Sequence, residues 1–370
     1  MKEKVIQIDA SQGEGGGQIL RTALALSIIT RQAVQLTHIR AKRSKPGLMR
    51  QHLTCVRAAQ AISDADVTGD SLGSTSLSFT PRTIKSGDYH FAIGTAGSCA
   101  LVLQTVLWPL LFADQTSTIT IEGGTHVPMS PSFEFLEFCF LPALQKMGVQ
   151  VSIELLKHGF YPGGGGQLRA KIAPWTTRHA LVLNQRGERI SQHGLSLIAN
   201  LDQSIADKQL SEVRRYLNWN AEDLIHQGLR NSHGVGNALI LSAQHTEHTE
   251  IVSAYGDKAK SSEFVAQQAC NEMKHYLASG AAVGEHLADQ LLIPLALVGG
   301  SFTTNVVSTH FKTNCEVIKE FLDTSFEVNN VSTHCFKVRV QSPRNSKEKQ
   351  NEATGQFGGS ACDPTEALCD

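Results

Sequence analysis

The sequence predicts an α/β (α+β) protein in which three related units form a large domain, with a small domain inserted before the third. Three glycine-containing loops, at residues 13–18, 94–98 and 284–286, each precede an apolar stretch with helical spacing. A second candidate helix follows each stretch, as in an internal repeat. The first two loops lie roughly 80 residues apart and the last two roughly 190, so about 100 inserted residues predict the small domain.

Composition limits the class of protein. The chain has 370 residues, 41% of them hydrophobic, and a net charge of -1, which suits two folded domains. Because no protein-wide basic field exists, any contact with nucleic acid must be local. No stretch resembles a signal peptide or reaches the length of a membrane span, which predicts a soluble intracellular protein without a membrane partner. Eight cysteines without a Cys-x-x-Cys pair predict buried, reduced thiols.

The first glycine loop contains four glycines and one carboxylate, Glu14, between a candidate strand at 5–8 and a candidate helix at 19–29. Glycine lets the backbone approach a ligand, and the following helix points its positive end at the loop. These features favour a phosphate ligand. The loop has neither the Gly-Lys-Ser/Thr ending of a P-loop nor the spacing of a dinucleotide fingerprint, and a tight turn before a helix is the structural alternative.

A cationic segment at residues 38–52 follows the first helix. Its basic side chains, among them Arg40 and Arg43, alternate with small residues instead of acidic ones. This pattern suits a polyanion whose phosphates must be positioned, whereas a solvated loop is the alternative.

The second unit carries Gln104 in its first candidate helix and Pro131 just before its second, where a proline usually marks a helix entry. Four consecutive glycines at 163–166 then indicate close backbone packing or a ligand, since glycine is costly in conformational entropy.

The inserted segment, residues 181–280, has a pattern of strands and helices and no catalytic signature. His245 and His248 lie three residues apart in a polar turn. Because no cysteine or further ligand lies nearby in the sequence, metal binding there is the less favoured interpretation.

In the third unit, Asp289 and Gln290 lie at a predicted helix start, where they could simply complement the helix dipole. His310 follows a candidate strand, at the beginning of a helix. A helix N-terminus disfavours the imidazolium, so a neutral, nucleophilic ring is expected; a structural histidine is the alternative. After Val340 the composition predicts a disordered tail.

Several of these motifs together resemble the RNA 3'-terminal phosphate cyclase family. The resemblance rests on residues 13–21, 40–52, 94–98, 158–166 and 287–290, and it extends in order over nearly all of residues 4–340. It implies a large domain of three units, each a four-stranded sheet with two helices. The implied limits are 1–180 for the first two units, 181–280 for the insertion, 281–340 for the third unit and 341–370 for the tail.

The resemblance also implies a reaction. With ATP, an RNA 3'-phosphate would become a 2',3'-cyclic phosphodiester, releasing AMP and pyrophosphate, and His310 would carry AMP covalently. Adenylylation turns a charged phosphate oxygen into a good leaving group, and a covalent histidine splits that activation into two easier displacements. Negative charge accumulates at each step, so a divalent ion, Mg²⁺ or Mn²⁺, and cationic side chains are expected.

The resemblance assigns roles to further residues. Glu14 would hold the metal ion. The phosphate ligands would be Arg21, Arg40, Arg43 and Gln51. The residues around ATP would be Gln104, Pro131, His286, Leu287, Ala288, Asp289 and Gln290.

One position departs from the family pattern. His286 stands where members carry a tyrosine expected to stack on adenine. A histidine ring offers less stacking area, so we expect weaker affinity or selectivity for adenine.

Two other functions are compatible with related folds. Cyclase-like proteins of ribosome assembly bind RNA but lack the nucleophilic histidine, so His310 favours an enzyme. Enolpyruvyl transfer occurs on a related repeated fold, but it would leave the Glu14 loop and His310 unexplained. We expect a bacterial cytoplasmic location, or a nuclear one in a eukaryote. The sequence leaves open the physiological RNA, the preferred metal and the oligomeric state.

Overall fold

The computed structural model describes residues 5–13, 15–230 and 232–343. The first unit contains two helices that alternate with strands, followed by a hairpin of two strands. Its elements are β1 (Ile6–Asp9), α1 (Gln18–Thr30), β2 (Val34–Thr37), α2 (Arg50–Ser63), β3 (Asp66–Thr68) and β4 (Leu77–Thr80).

The second unit repeats this order with a broken second helix. Its elements are β5 (Asp88–Ala92), α3 (Cys99–Leu110), β6 (Ser117–Gly123), α4 (Phe133–Phe135), a π-helical turn (Leu136–Phe140), α5 (Leu141–Gln145), β7 (Val151–Lys157) and β8 (Gly166–Ile172). Pro142 lies at the start of α5 and lacks a backbone N–H, so the regular hydrogen-bond ladder cannot run through this point.

The inserted unit follows a short strand, β9 (Leu181–Leu183). Its elements are β10 (Arg189–Ala199), α6 (Ser204–Leu217), a 3₁₀ turn (Ala221–Asp223), β11 (Leu224–Leu229), β12 (Gly236–His245), β13 (Thr249–Tyr255) and α7 (Ser262–Ser279). These strands form one sheet in the order β11-β10-β12-β13. Residues of α6, α7 and the sheet share a hydrophobic cluster distinct from the main core. β11 was not among the strands expected in this segment.

The chain then completes the third unit. Its remaining elements are α8 (Glu285–Gln290), α9 (Leu292–Val298), β14 (Gly300–Thr304), α10 (Thr309–Phe321), β15 (Ser325–Ser332) and β16 (Cys335–Gln341). The apolar stretch after the third glycine loop therefore forms two helices that break at Leu291, shortly before Pro294.

All three units share one topology. Their sheets have the strand orders β1-β2-β4-β3, β5-β6-β8-β7 and β9-β14-β16-β15. In each, the first two strands pair in parallel and the others antiparallel. This confirms the predicted fold class, with three repeated units of a four-stranded sheet and helices plus an inserted α/β unit.

The placement of β9 corrects one detail of the expected organisation. Residue 181 was the expected start of the insertion, but β9 pairs in parallel with β14 and belongs to the third sheet. The insertion therefore interrupts the third unit after its first strand. Gln341 is the last residue of β16, and the predicted tail beyond residue 343 lies outside the described residues. The domain limits otherwise stay predictions.

Helix α1 lies at the centre of the large domain. It packs against α2, α3 and α10, and most of its residues from Ile19 to Ile28 are buried. A helix that is apolar on nearly all sides is buried on all sides. The N-terminal end of α1 consequently meets elements of all three units. No helix in the described ranges is long and apolar enough to cross a membrane.

Candidate active site

A small cavity lies where the three units meet around the start of α1. Its volume is about 60 Å³. Helices α1 and α3 line one side, and residues of the third unit line the other. The lining residues are Gln18, Arg21, Thr22, Gln104, Trp108, Asp289, Gln290, Ile293 and Asn314. Four candidates from the sequence, Arg21, Gln104, Asp289 and Gln290, thus come together here.

A chain of hydrogen bonds connects Asp289 to His310 through Gln18. The Gln18 Nε2 group donates to both Asp289 carboxylate oxygens, at 2.6 and 2.7 Å. This orientation turns Gln18 Oε1 towards His310 Nδ1, 2.8 Å away. Because an amide oxygen only accepts, the bond requires a proton on Nδ1. The lone pair of the neutral ring then lies on Nε2.

His310 is the second residue of α10, whose N-cap is Ser308. The expected position of this histidine at a helix start is therefore confirmed. The Ser308 hydroxyl accepts a hydrogen bond from the Phe311 N–H at 3.2 Å. Capping fixes the first turn of α10 and therefore the position of the backbone atoms that carry the His310 side chain.

Asp289 is a half-buried carboxylate held by several donors. Asn314 Nδ2 donates to Asp289 Oδ1 at 3.0 Å, and the Thr22 hydroxyl donates to Asn314 Oδ1 at 2.8 Å. Burial raises the pKa of Asp289, while His310, Asn314, Gln18 and Arg21 oppose that rise. These donors keep the Asp289 side chain in one orientation, and Gln18 connects it to His310 by hydrogen bonds.

Cationic side chains surround the glycine loop. Arg21 is half-buried, and desolvation lowers its pKa. At Gly16, an added Cβ would lie 3.0 Å from Arg43 Nη2, and at Gly17 it would lie 2.4 Å from His52 Nε2 and 2.9 Å from Arg21 Nη1. Glycine at these two positions lets the cationic groups reach the backbone.

His52 is neutral within this group of cations. Its pKa is lowered to about 3, by burial first and then by Arg21, Arg40 and Arg43. The three guanidinium groups oppose protonation of His52, which indicates positive potential beside residues 16–17. That potential would attract an anion, so the local charge favours phosphate.

Two other phosphate candidates also support the surrounding loops. Arg40 Nη1 donates to the carbonyls of Lys45 and Gly47, at 2.6 and 2.9 Å. Gln51 Oε1 accepts a hydrogen bond from the Ser98 N–H at 2.6 Å, which ties α2 to the second glycine loop.

The expected ATP-binding residues fall into two groups. Gln104 Nε2 donates to Gln290 Oε1, and both line the cavity. Leu287 and Ala288 have no exposed surface and belong to the core, so only their backbone could contact a nucleotide.

The remaining two ATP candidates lie at the edge of the site. Pro131 is half-buried directly before Ser132, the N-cap of α4. The His286 side chain is 60% exposed and pairs with Glu272 of the inserted unit, with Nε2 3.3 Å from Oε1. The hydrogen bond to Glu272 raises the pKa of His286.

Glu14, the expected metal ligand, lies outside the described residues. Within the described part of the cavity, Asp289 supplies the carboxylate, and its oxygens already accept hydrogen bonds from Gln18 and Asn314. These residues do not by themselves fit a divalent ion, which needs several oxygen ligands.

The second glycine cluster has a packing explanation. At Gly164, where φ is +66°, an added Cβ would lie 3.0 Å from backbone atoms of Thr95 and Ala96. The cluster therefore packs tightly against the loop at 94–98. Of the two interpretations of these glycines, close backbone packing accounts for this position.

Four residues of the site were not assigned roles from the sequence: Gln18, Thr22, His52 and Asn314. Gln18 and His52 lie inside motifs that were recognised, next to residues that were assigned. Their roles depend on partners far away along the chain. Gln18 and Asp289, for example, are 271 positions apart.

Known proteins with similar sequences indicate the family of this chain. The family model described as RNA 3'-terminal phosphate cyclase matches residues 12–328. A protein named RNA 3'-terminal phosphate cyclase from Ectopseudomonas mendocina (strain ymp) is 47% identical over 342 residues, which cover 92% of this chain and 99% of the relative. Proteins of the same name from Koribacter versatilis (strain Ellin345) and Salmonella enteritidis PT4 (strain P125109) are each 47% identical, over 91% and 87% of this chain and 95% of each relative.

The match spans all three repeated units and the insertion between β9 and α8. It includes the glycine loop, the cationic segment and the residues that connect Asp289 to His310. Identity of 47% over nearly the full length of the relatives leaves no large part of either chain unmatched. The chain therefore belongs to the RNA 3'-terminal phosphate cyclase family of enzymes, as its motifs predicted.

Proposed function

We propose that this protein uses ATP to convert an RNA 3'-terminal phosphate into a 2',3'-cyclic phosphodiester, through a covalent histidine-AMP intermediate. The observation that carries the proposal is the chain of hydrogen bonds from Asp289 through Gln18 to His310 Nδ1. With Nδ1 protonated, the Nε2 lone pair would act as the nucleophile, near several guanidinium groups.

In the first step, the Nε2 lone pair of His310 forms a bond to the α-phosphorus of ATP. The bond from that phosphorus to the bridging oxygen breaks, and pyrophosphate leaves with the electron pair. The ring gains positive charge as the N–P bond forms. The Nδ1 proton, donated to Gln18 Oε1, and the half-buried Asp289 carboxylate behind it stabilise that charge.

In the second step, an oxygen of the RNA 3'-phosphate attacks the AMP phosphorus. The P–N bond breaks, its electrons return to Nε2, and the RNA end becomes adenylylated. The neighbouring 2'-hydroxyl then attacks the terminal phosphorus, loses its proton to solvent and displaces AMP. Both displacements bring anions together, so positioning and cationic stabilisation supply most of the catalysis.

The cations around residues 16–17 would hold these anions. Arg21, Arg43 and neutral His52 converge on the loop backbone, and Arg40 adds to the same potential. We assign phosphate contacts to Arg21, Arg40, Arg43 and Gln51. A partner with an RNA 3'-phosphate end fits such a local cationic site on a chain of net charge -1.

The nucleotide would lie against Gln104, Gln290 and the backbone of residues 286–289, with Pro131 and His286 as the candidates for the adenine. Gln104 and Gln290 hydrogen bond to each other and can exchange that bond for nucleotide contacts. A divalent ion, Mg²⁺ or Mn²⁺, with Glu14 as its ligand would neutralise charge on the triphosphate. The relatives named above come from bacteria, so we propose a cytoplasmic location.

A non-catalytic cyclase-like RNA-binding protein of ribosome assembly is the alternative. It would bind RNA through the same cationic segment without need of a nucleophile. The hydrogen bonds that orient His310 favour the enzyme, since a binding protein gains nothing from a fixed imidazole tautomer.

The test is covalent labelling with ATP that carries the label at its α-phosphate, followed by denaturing electrophoresis. We expect label that survives alkali and is lost in acid, as for a histidine phosphoramidate. His310→Ala should abolish it, whereas His275→Ala, at an exposed position of α7, should label like the wild type. Labelling that persists in the folded His310→Ala variant would refute this nucleophile. No labelling of a wild-type protein that binds ATP would favour the RNA-binding alternative.

A further inference from the structure

A second group of reactive side chains lies buried between the inserted unit and the second unit. Cys139 belongs to the π-helical turn Leu136–Phe140, His248 to the turn between β12 and β13, and Glu250 to β13. Their exposed fractions are 0%, 5% and 3%. The proposed reaction uses none of the three.

The side-chain atoms face one another. Cys139 Sγ lies 3.7 Å from His248 Nε2, and His248 Nε2 lies 3.4 Å from Glu250 Oε2. One ligand atom from each residue lies within 4.8 Å of the other two. Ligand atoms around a tetrahedral zinc ion, with Zn–S near 2.3 Å and Zn–N or Zn–O near 2.0 Å, are separated by about 3.3–3.6 Å. The two separations from His248 Nε2, 3.7 and 3.4 Å, are close to that arrangement.

We propose that Cys139, His248 and Glu250 bind one structural Zn²⁺ ion that fastens the inserted unit to the large domain. Thiolate sulfur, imidazole nitrogen and carboxylate oxygen are the donor types that zinc selects, whereas Mg²⁺ and Ca²⁺ prefer oxygen alone. The three side chains leave one position of a tetrahedral ion for a water molecule or the second carboxylate oxygen.

Charge balance supports the same occupant. A thiolate and a carboxylate together neutralise the two charges of the ion, so the loaded site buries no net charge. Buried ionised groups are costly unless they are paired or bound to metal, and a bound ion would pair both acidic ligands of this buried cluster.

A backbone group holds the carboxylate in place. The Gly284 N–H donates to Glu250 Oε2 at 2.7 Å, and an added Cβ at Gly284 would lie 2.6 Å from Glu250 Oε1. Such outer contacts orient metal ligands. The contact also places the site directly before α8. His245 of the sequence pair is not a member of this group of ligand atoms. The site does not depend on the reaction proposed above.

The experiment measures metal content and spectra on the full chain. After chelation and dialysis, the protein is titrated with Zn²⁺ alone, and bound zinc is counted by mass spectrometry. We expect one ion per chain. Titration with Co²⁺ alone should give the visible bands of tetrahedral cobalt and a thiolate charge-transfer band in the near ultraviolet.

Variants identify the ligands. Cys139→Ser and His248→Asn should lower zinc affinity by more than the 10- to 100-fold that loss of an outer contact costs, and Cys139→Ser should abolish the thiolate band. Cys270→Ser is the matched control, because Cys270 is buried in the insertion core and outside the cluster. It should bind zinc like the wild type.

Two outcomes would overturn the assignment. If the wild type takes up neither Zn²⁺ nor Co²⁺ with a thiolate band, the cluster is a hydrogen-bonded part of the core. If binding is unchanged in folded Cys139→Ser and His248→Asn, the ion is held elsewhere, for example by Cys362 and Cys369. Should either variant fail to fold, the double variant Cys362→Ser/Cys369→Ser decides, because it should keep the wild-type zinc stoichiometry and thiolate band, and their loss would overturn the assignment.

Discussion

Gln18 determines which nitrogen of His310 carries the lone pair. Its amide has one donor end and one acceptor end, and the Asp289 carboxylate takes the donor end. The acceptor end then requires a proton on His310 Nδ1. The amide therefore fixes the orientation of the ring, and the Asp289 carboxylate also acts electrostatically on His310.

Gln18→Leu should slow formation of the histidine-AMP intermediate. The variant removes the acceptor for His310 Nδ1 and a donor to a charged group, a loss of about 1.5–3 kcal/mol and so about 10- to 100-fold in rate. Half-saturation by ATP should hardly change, since Gln18 orients His310 rather than ATP. Single-turnover labelling at several ATP concentrations measures both quantities.

Gln203→Leu, at an exposed position before α6, is the matched control and should label at the wild-type rate. Circular dichroism establishes that both variants are folded. An unchanged labelling rate in folded Gln18→Leu would show that the amide does not set the tautomer.

His52 should make stability depend on pH. Its folded pKa is about 3, below the ordinary 6.5. Between these values the unfolded chain binds a proton that the folded chain does not, so the free energy of unfolding decreases as pH falls from 6.5 towards 3. His52→Gln removes this contribution. Its melting temperature should fall less steeply than that of the wild type between pH 6.5 and 4.

The control variant for this pH measurement is His334→Gln, which removes an exposed histidine in the turn between β15 and β16. That control should follow the wild-type pH profile. Equal slopes for His52→Gln and the wild type would mean that His52 is not held neutral by the surrounding arginines.

At the scale of elements, the glycine loop and α1 act as one support for the site. Gly17 is the N-cap of α1 with φ -80°, a conformation open to any residue. Its missing side chain matters because His52 and Arg21 occupy that space. Backbone freedom is therefore needed elsewhere in the loop, at Gly13 and Gly15, whose φ angles are +54° and +57°.

Gly17→Ala should impair the site while leaving the backbone conformation intact. The new methyl group would lie 2.4 Å from His52 Nε2, and the imidazole and Arg21 would have to move. Displacements of this size at a phosphate site cost about 100-fold in rate, so we expect at least a 10-fold loss of covalent labelling. Labelling kinetics and circular dichroism are the measurements.

Gly228→Ala is the control, because no heavy atom lies within 4 Å of the position its Cβ would take. It should label normally. Full activity in Gly17→Ala would show that the close approach of His52 to the loop is not required.

Much of the element order could be predicted because it depends on local signals. Glycine loops followed by apolar helical periodicity located α1 and α3 correctly, whereas the stretch after the third loop forms the two helices α8 and α9. The prediction was less complete where contacts between residues distant in the sequence determine the structure. Residue 181 was the expected start of the insertion, yet β9 begins there and pairs with β14, whose position in space cannot be read from neighbouring residues. The apolar periodicity predicts one continuous second helix in the second unit, but Pro142 interrupts it.

The same limit applies to the site. His310 could be found because a histidine at a helix start carries local meaning, and the family resemblance assigned roles to His310 and Asp289. The predicted helix start at Asp289 and Gln290 is wrong, because these residues are the last two of α8. The bond between Gln18 and Asp289 joins residues that only the packing of α1 against the third unit brings together. Leu287 and Ala288 are the opposite case. Their place in a motif suggested contact with the ligand, but their side chains are buried in the hydrophobic core.

At the scale of the molecule, the insertion is bonded to the start of α8 in two places. Glu250 accepts the Gly284 N–H at 2.7 Å, and Glu272 pairs with His286 at 3.3 Å. The segment expected to surround ATP is thus held between the large domain and the insertion. Movement of the insertion would change the position of His286 relative to Pro131.

His286→Tyr should strengthen ATP binding. A tyrosine offers a larger ring for stacking on adenine, worth about 0.5–1.5 kcal/mol, and the exposed ion pair that it removes contributes little. We expect the half-saturating ATP concentration for labelling to fall about 2- to 10-fold, with a smaller change for GTP.

Glu272→Gln separates the two effects, since it breaks the ion pair without enlarging the ring. It should leave half-saturation by ATP close to the wild-type value. A rise in that concentration for His286→Tyr would show that the pair with Glu272, rather than stacking, orders the segment.

The insertion between β9 and α8 has a consequence for how the chain folds. The third sheet cannot form until β14 returns to β9 across about 100 intervening residues, and closing so long a loop is slow and entropically costly. An insertion that folds first brings its own two ends together and shortens that loop. The small domain would then act as an internal folding aid, and a mutation that destabilises it would delay assembly of the third unit and, with it, of the nucleotide site.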